Sequence, residues 1–221
     1  PLGVAGRPPR GMTDASTVLR ARLDPRARQG AFVAVVGPSG AGKDTLMSYA
    51  RGRLSGAGGH AVHFVRRVIT RAPDGGTEDH DTLSVQAFLE AEANGAFALS
   101  WVAHGLHYGL PAVVDDRIAA GATVVANLSR TAIPALRARY RNVSVVFVTA
   151  APAIRAARLA SRGRETREEI LARLSRAAAG EDEIPAPVTV IQNDDTLEAG
   201  GEALMAAIRM AGELARAPLD L

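Results

Sequence analysis

Short apolar runs alternate along the chain with stretches of helical period. Phe32-Val33-Ala34-Val35-Val36 is apolar at every position, the mark of a strand buried on both faces. Further strands are expected over residues 62–70, 97–102, 123–126, 143–148 and 188–191. After Gly42, the residues Thr45, Leu46, Met47, Tyr49 and Ala50 read as a helix packed on a sheet. A helix over 84–94 has Ser84 as its N-cap and Gly95 past its end. Another over 111–120 starts on Pro111 and stops at Gly121. Helices are also expected over 132–140, 152–161 and 197–215, and one opened by the capping box Thr166-Arg167-Glu168-Glu169 runs to about residue 179. Residues 55–59 form a turn and 72–82 a loop, while 104–110, with Gly105 and Gly109, is turn-like. Apolar strands alternating with helices predict an α/β fold whose parallel core sheet is covered on both faces.

Composition bounds this reading without redirecting it. The 221 residues suit one domain with inserted subdomains. No cysteine is present, which excludes disulfides and thiolate metal sites. No apolar run approaches the roughly 20 residues that span a membrane, and no signal-peptide core is visible, so a cytoplasmic location is expected. The net charge of +3 belongs to one end. Residues 1–30 carry six arginines against two aspartates, and the remainder is slightly acidic. The expected organisation is a disordered basic tail over 1–30, with Met12 as a candidate native start, and a domain over 31–221. Nucleic acid and membrane are not expected as partners; a homodimer is left open.

Among 26 basic residues, the only lysine is Lys43. It closes Gly37-Pro38-Ser39-Gly40-Ala41-Gly42-Lys43, a P-loop between the first strand and the first helix. Such a turn aims backbone N–H groups at phosphate oxygens. A compact ammonium on a flexible stem then reaches the β- and γ-phosphates, a slot that arginine's planar fork does not fit. Asp44 stands where Ser or Thr usually binds Mg²⁺, and Thr45 follows. Asp44 is the favoured metal ligand, since Mg²⁺ takes hard oxygens and often one or two carboxylates, with Thr45 the alternative.

Three absences narrow the nucleotide-binding classes. A guanine-reading Asn-Lys-x-Asp is impossible with no second lysine. The strands that would end in a motor ATPase's Asp end in Asn127 and Thr149. No long insertion exists to serve as a power-stroke element. A small kinase using ATP and Mg²⁺ remains. Arg155, Arg158 and Arg162 repeat at i, i+3 and i+7, with Arg164, Arg167, Arg173 and Arg176 following. This arginine hairpin, over about 155–178, resembles the lid of nucleoside monophosphate kinases, where guanidinium groups stabilise the transferring phosphoryl.

Thr70-Arg71, Gly76-Thr77-Glu78-Asp79-His80 and Tyr108-Gly109 resemble the acceptor domain of guanylate kinases, implying a three-layer fold with an acceptor-binding subdomain over about 65–115. The base-reading groups depart from that family. Its second acceptor arginine is replaced by Asp74, its guanine-reading Glu by Ser100, and the hydroxyl residue after Tyr-Gly by Leu110. A guanine edge buried without partners would be strongly rejected. The replacements resemble instead the ribose 1,5-bisphosphate phosphokinases of phosphonate degradation. The matching segments include Lys43-Asp44, Ile69-Thr70-Arg71, Leu99-Ser100-Trp101, His107-Tyr108-Gly109, Asn127-x-Ser129-Arg130, Ala138-Arg139-Tyr140 and Arg162-Gly163-Arg164-Glu165.

That resemblance implies transfer of the ATP γ-phosphoryl to the 1-phosphate of a phosphorylated ribose, giving 5-phosphoribosyl 1-diphosphate. Arg71 and Arg130 are assigned to acceptor phosphates, with hydrogen bonds from Tyr108 and Ser129, and with Glu78 and Ser100 completing the acceptor set. Lys43, Arg158, Arg162 and Arg173 are assigned to the transferring group. Trp101 is expected as a pocket wall or core residue; Asn193 and Asp194 are expected near the adenine or as loop caps. The alternatives are a guanylate kinase or other small phosphate-acceptor kinase, or a non-catalytic binding module of the same fold.

Overall fold

The computed structural model describes residues 30–54, 61–71, 80–103, 105–161 and 187–217. The basic tail up to residue 29, the segment carrying Glu78, and the lid arginines from Arg162 onward lie outside the described residues.

The first apolar run forms β1 (Ala31–Val36), buried at every position. It is the middle strand of a five-stranded parallel sheet. The others are β2 (Val62–Phe64) and β7 (Thr123–Asn127) on one side, and β8 (Val143–Thr149) and β9 (Val188–Gln192) on the other. Helices cover both faces, as a doubly buried strand requires. Ala31, Val33 and Val35 pack with Leu46, Ala50 and Leu54 of α1 (Lys43–Leu54) and with Leu204, Met205 and Ile208 of α6 (Leu197–Arg216). Phe32, Ala34 and Val36 pack with Val114 and Ile118 of α3 (Val113–Ala119) and with Ile133 and Leu136 of α4 (Ile133–Arg139). α5 (Pro152–Ala160) follows β8. Among the described residues, no helix is long and apolar enough to cross a membrane.

A second, four-stranded sheet holds β3 (Arg67–Ile69), β4 (His80–Thr82), β5 (Phe97–Ala103) and β6 (Leu106–Pro111), in the order β4-β3-β6-β5. α2 (Val85–Ala93) packs beside it, its N-cap Ser84 accepting from the N–H of Ala87 at 3.1 Å. Three local expectations are corrected here. The strand expected over 62–70 is two strands in different sheets, because the chain leaves β7 after Val65, whose N–H still reaches Val125 O at 2.9 Å. The loop expected over 72–82 ends in β4, which pairs parallel to β3. The turn-like stretch 104–110 is mostly strand β6, paired with both β5 and β3. Gly109 marks close approach there rather than a turn: a Cβ at that position would lie 2.6 Å from the Phe97 ring.

One polar cluster ties α3 to α4. Tyr140 stacks on Phe32 at 5.6 Å and donates its hydroxyl to Asp115 Oδ1 at 2.8 Å, while Arg139 pairs with the same carboxylate. Burial first, then the Asp115 charge, raises the Tyr140 pKa above its ordinary value. Its contribution is therefore complete below the unfolded tyrosine pKa of about 10 and is lost as pH rises beyond it. Tyr140→Phe is expected to cost ~1–2 kcal/mol at pH 8 for the lost hydrogen bond. The gap from the wild type should narrow above pH ~10, where only the unfolded wild type can release that proton. Urea titrations of both proteins across pH 8–11 read both effects.

Candidate active site

The P-loop leaves β1 at Gly37 and enters α1 at Lys43, so the sequence motif has its strand–loop–helix setting. Lys43 Nζ donates to Gly37 O at 2.7 Å and Pro38 O at 3.0 Å, which holds the ammonium against the loop. Two residues from the far side fix the loop's apex. Arg155 of α5, only 3% exposed, donates Nε to Ser39 O at 3.3 Å. Buried Asn193, just past β9, donates Nδ2 to Ala41 O at 2.7 Å. Arg158, one turn along α5, reaches the same carbonyl through Nη1 at 3.4 Å. The i, i+3 spacing of Arg155 and Arg158 is thus split between support under the loop and a guanidinium beside it.

Asn193 and Asp194 both act as loop caps. Asp194 Oδ1 accepts from the N–H of Ala151, the residue before α5, at 2.7 Å. Its Oδ2 accepts from Gln192 Nε2 at 2.6 Å. The Gln192 bond, then the Ala151 N–H, then the Arg158 charge hold the Asp194 carboxyl below its usual range.

At the start of α1, Asp44 is half-buried and its Oδ1 accepts from Asn127 Nδ2 at 2.9 Å; Thr45 is exposed. Asn127 ends β7, and Ser129 and Arg130 follow it, with the hydroxyls of Ser129 and Thr131 2.7 Å apart. Asp44, Asn127, Arg51, Arg66 and Arg67 line one cleft, which runs from α1 toward the second sheet. Among the described residues, no cluster of three His, Cys, Asp or Glu exists. A divalent cation here would rest on the Asp44 carboxylate and the ligand's own phosphates, a donor set that suits Mg²⁺.

The second sheet orders its candidate residues by strand alternation. Trp101 and Tyr108 face each other across β5 and β6, their rings stacked at 5.4 Å and 9°. Arg71 follows β3, half-buried. One residue before Trp101, Ser100 turns to the other face, where its hydroxyl donates to Glu92 of α2. The structure therefore does not bring Ser100 beside Tyr108. His107 tilts against Phe88 at 5.4 Å, a packing role. Glu78, Arg162, Arg173 and His104 lie outside the described residues.

Sequence reading missed Arg67, Asn127 and the support from Arg155. Arg67 opens a strand of three residues, too short for a periodic signal, and the partners of Asn127 and Arg155 lie far away in the sequence.

The loop, the parallel sheet and the second sheet define a P-loop phosphotransferase of guanylate-kinase architecture. A guanylate kinase from Anaplasma phagocytophilum superposes with a TM-score of 0.62, covering 86% of this chain and 90% of its own, at 20% identity, which supports the fold alone. No protein-family model matches the chain. Whole-sequence similarity is more specific. Ribose 1,5-bisphosphate phosphokinase PhnN of Chelativorans sp. strain BNC1 is 53% identical over 184 residues, covering 83% of this chain and 87% of the relative. Its counterpart from Brucella melitensis is 52% identical over 177 residues, covering 80% and 91%. That from Agrobacterium fabrum is 46% identical over 181 residues, covering 80% and 96%. The chain belongs to the ribose 1,5-bisphosphate phosphokinase family.

Proposed function

We propose that the protein transfers the γ-phosphoryl group of ATP to the 1-phosphate of ribose 1,5-bisphosphate, giving 5-phosphoribosyl 1-diphosphate and ADP in phosphonate catabolism. The identity of 53% over most of the chain, joined to an intact P-loop lysine, carries this reading. An acceptor phosphate oxygen forms the new P–O bond, the bond from γ-phosphorus to its bridging oxygen breaks, and ADP leaves. The acceptor's second pKa is about 6, so it is already anionic at neutral pH and needs no general base. The work left to the protein is bringing two polyanions together and offsetting their charge.

The residues supply that charge from both sides. Lys43 and the P-loop amides hold the donor phosphates, and Arg158 stands beside the loop, with Arg162 and Arg173 assigned to the closing lid. Arg71, Tyr108, Ser129 and Arg130 are assigned to the acceptor. Asp44, held by Asn127, would carry Mg²⁺. When bound, that cation neutralises charge on the phosphates.

ADP formation with ribose 1,5-bisphosphate, GMP or no acceptor tests the function. Turnover with the bisphosphate alone is expected; GMP turnover would make the protein a guanylate kinase. A narrower test addresses the metal. Asp44→Ala should raise the Mg²⁺ concentration for half-maximal rate by ~10-fold or more, the scale of one charge-assisted ligand. An unchanged Mg²⁺ titration would move the metal to Thr45.

A further inference from the structure

Resting on that reading, we infer that Arg67 is a substrate-contacting residue that grips a phosphate group of the acceptor. Arg67 is 8% exposed, in a sheet whose neighbouring Arg66 is half in solvent. Arg66 precedes β3, and Arg67 is its first residue. Arg66 donates to His80 O at 2.9 Å and pairs with Asp81 at 3.0 Å. Arg67 turns inward with Ile69, whose register partner is Tyr108. Its guanidinium carbon lies 5.7 Å from the Tyr108 ring centroid, within the ~6 Å range of a cation–π contact. The ring thus helps fix the plane of the fork.

What the fork faces identifies its ligand. Arg67 lines the cleft that also holds Asp44, Asn127, Arg51 and Arg66. Asp44, at the start of α1, places the other end of that cleft at the P-loop. A ligand spanning it would have its charged group near the transferring phosphoryl and its body against the acceptor sheet. Arginine's planar donors match a phosphate's oxygens two at a time, which a lysine at the same place could not do. A sugar phosphate fits this arrangement, and a guanine ring gains nothing from it.

Isothermal titration tests the assignment without requiring turnover. Ribose 1,5-bisphosphate and Mg-ATP are titrated separately into the wild type, Arg67→Gln and Arg67→Lys, each first confirmed folded by its thermal transition. Arg67→Gln should bind the bisphosphate ~10- to 100-fold more weakly, the worth of a charge-assisted contact, and ATP within about twofold. Arg67→Lys, which keeps the charge and loses the fork, should fall between and preserves the test if the glutamine variant does not fold. Unchanged bisphosphate affinity, or equal losses for both ligands, would overturn the inference. A wild type that binds ATP and no bisphosphate would overturn the function reading itself, and this inference with it.

Discussion

Lys43→Ala should lower phosphoryl transfer by ~10²–10³-fold or more, the scale of removing one charge-stabilising donor from a reacting group. The loss follows from geometry. Lys43 is held against the loop by bonds to Gly37 O at 2.7 Å and Pro38 O at 3.0 Å, beside the proposed seat of the donor phosphates. The fold should hardly respond, because Lys43 is only half-buried and alanine is the best former of the helix it opens. A change in Tm within ~2–4 °C is expected, equivalent to about 1 kcal/mol in a chain of this size. Lys43→Arg should not rescue transfer, since the wide fork cannot take the place of a point charge within the loop. Single-turnover rates and thermal transitions of the two variants separate chemistry from stability. Near-normal transfer in Lys43→Ala would sink the P-loop mechanism.

Gly37→Ala should be the opposite kind of variant, one that loses the fold first. Gly37 has φ +144, a backbone region that a Cβ strains. A Cβ there would lie 2.0 Å from Val148 O, a backbone atom that cannot move aside. The clash falls where β1 hands the chain to the loop beside β8, with Val36 and Phe147 in register. The expected cost is ~4 kcal/mol or more, the range reserved for substitutions that break a constrained backbone. Gly52→Ala is the matched control. It sits within α1, and a Cβ added there would meet no atom within 4 Å. That substitution should be neutral or stabilising by ~0.5–1 kcal/mol. Urea midpoints for the pair, at constant slope, decide the point. Equal midpoints would mean that the loop relaxes at no cost.

The parts of the fold legible in the sequence are those that repeat over many residues. β1 is apolar throughout because both faces are covered, and α6 carries a long amphipathic period. The single lysine makes the P-loop stand out from an arginine-rich chain. The second sheet is harder to read because β3 and β4 are three residues each, too few to repeat an alternating pattern. Gly109 carries the glycine of a turn but serves a tight approach to Phe97, information held by a strand neighbour and not by the local sequence.

The site divides in the same way. The loop residues are contiguous and legible directly. Asn127 meets Asp44 across 83 positions, Asn193 meets Ala41 across 152, and Arg155 meets Ser39 across 116. Nothing local to either partner announces such a bond. Ser100 shows how local the placement is: a step of one residue in a strand changes the face, so Trp101 meets Tyr108 and Ser100 meets Glu92.

The most direct measurement of the central claim follows the transferred phosphorus itself. ATP, Mg²⁺ and ribose 1,5-bisphosphate are incubated with the protein and the mixture is read by ³¹P NMR. The account predicts that the 1-phosphate singlet disappears as ADP forms, replaced by a coupled pair of diphosphate resonances on the sugar. Phosphate appearing as a new sugar monoester, or as free phosphate with the bisphosphate untouched, would contradict it.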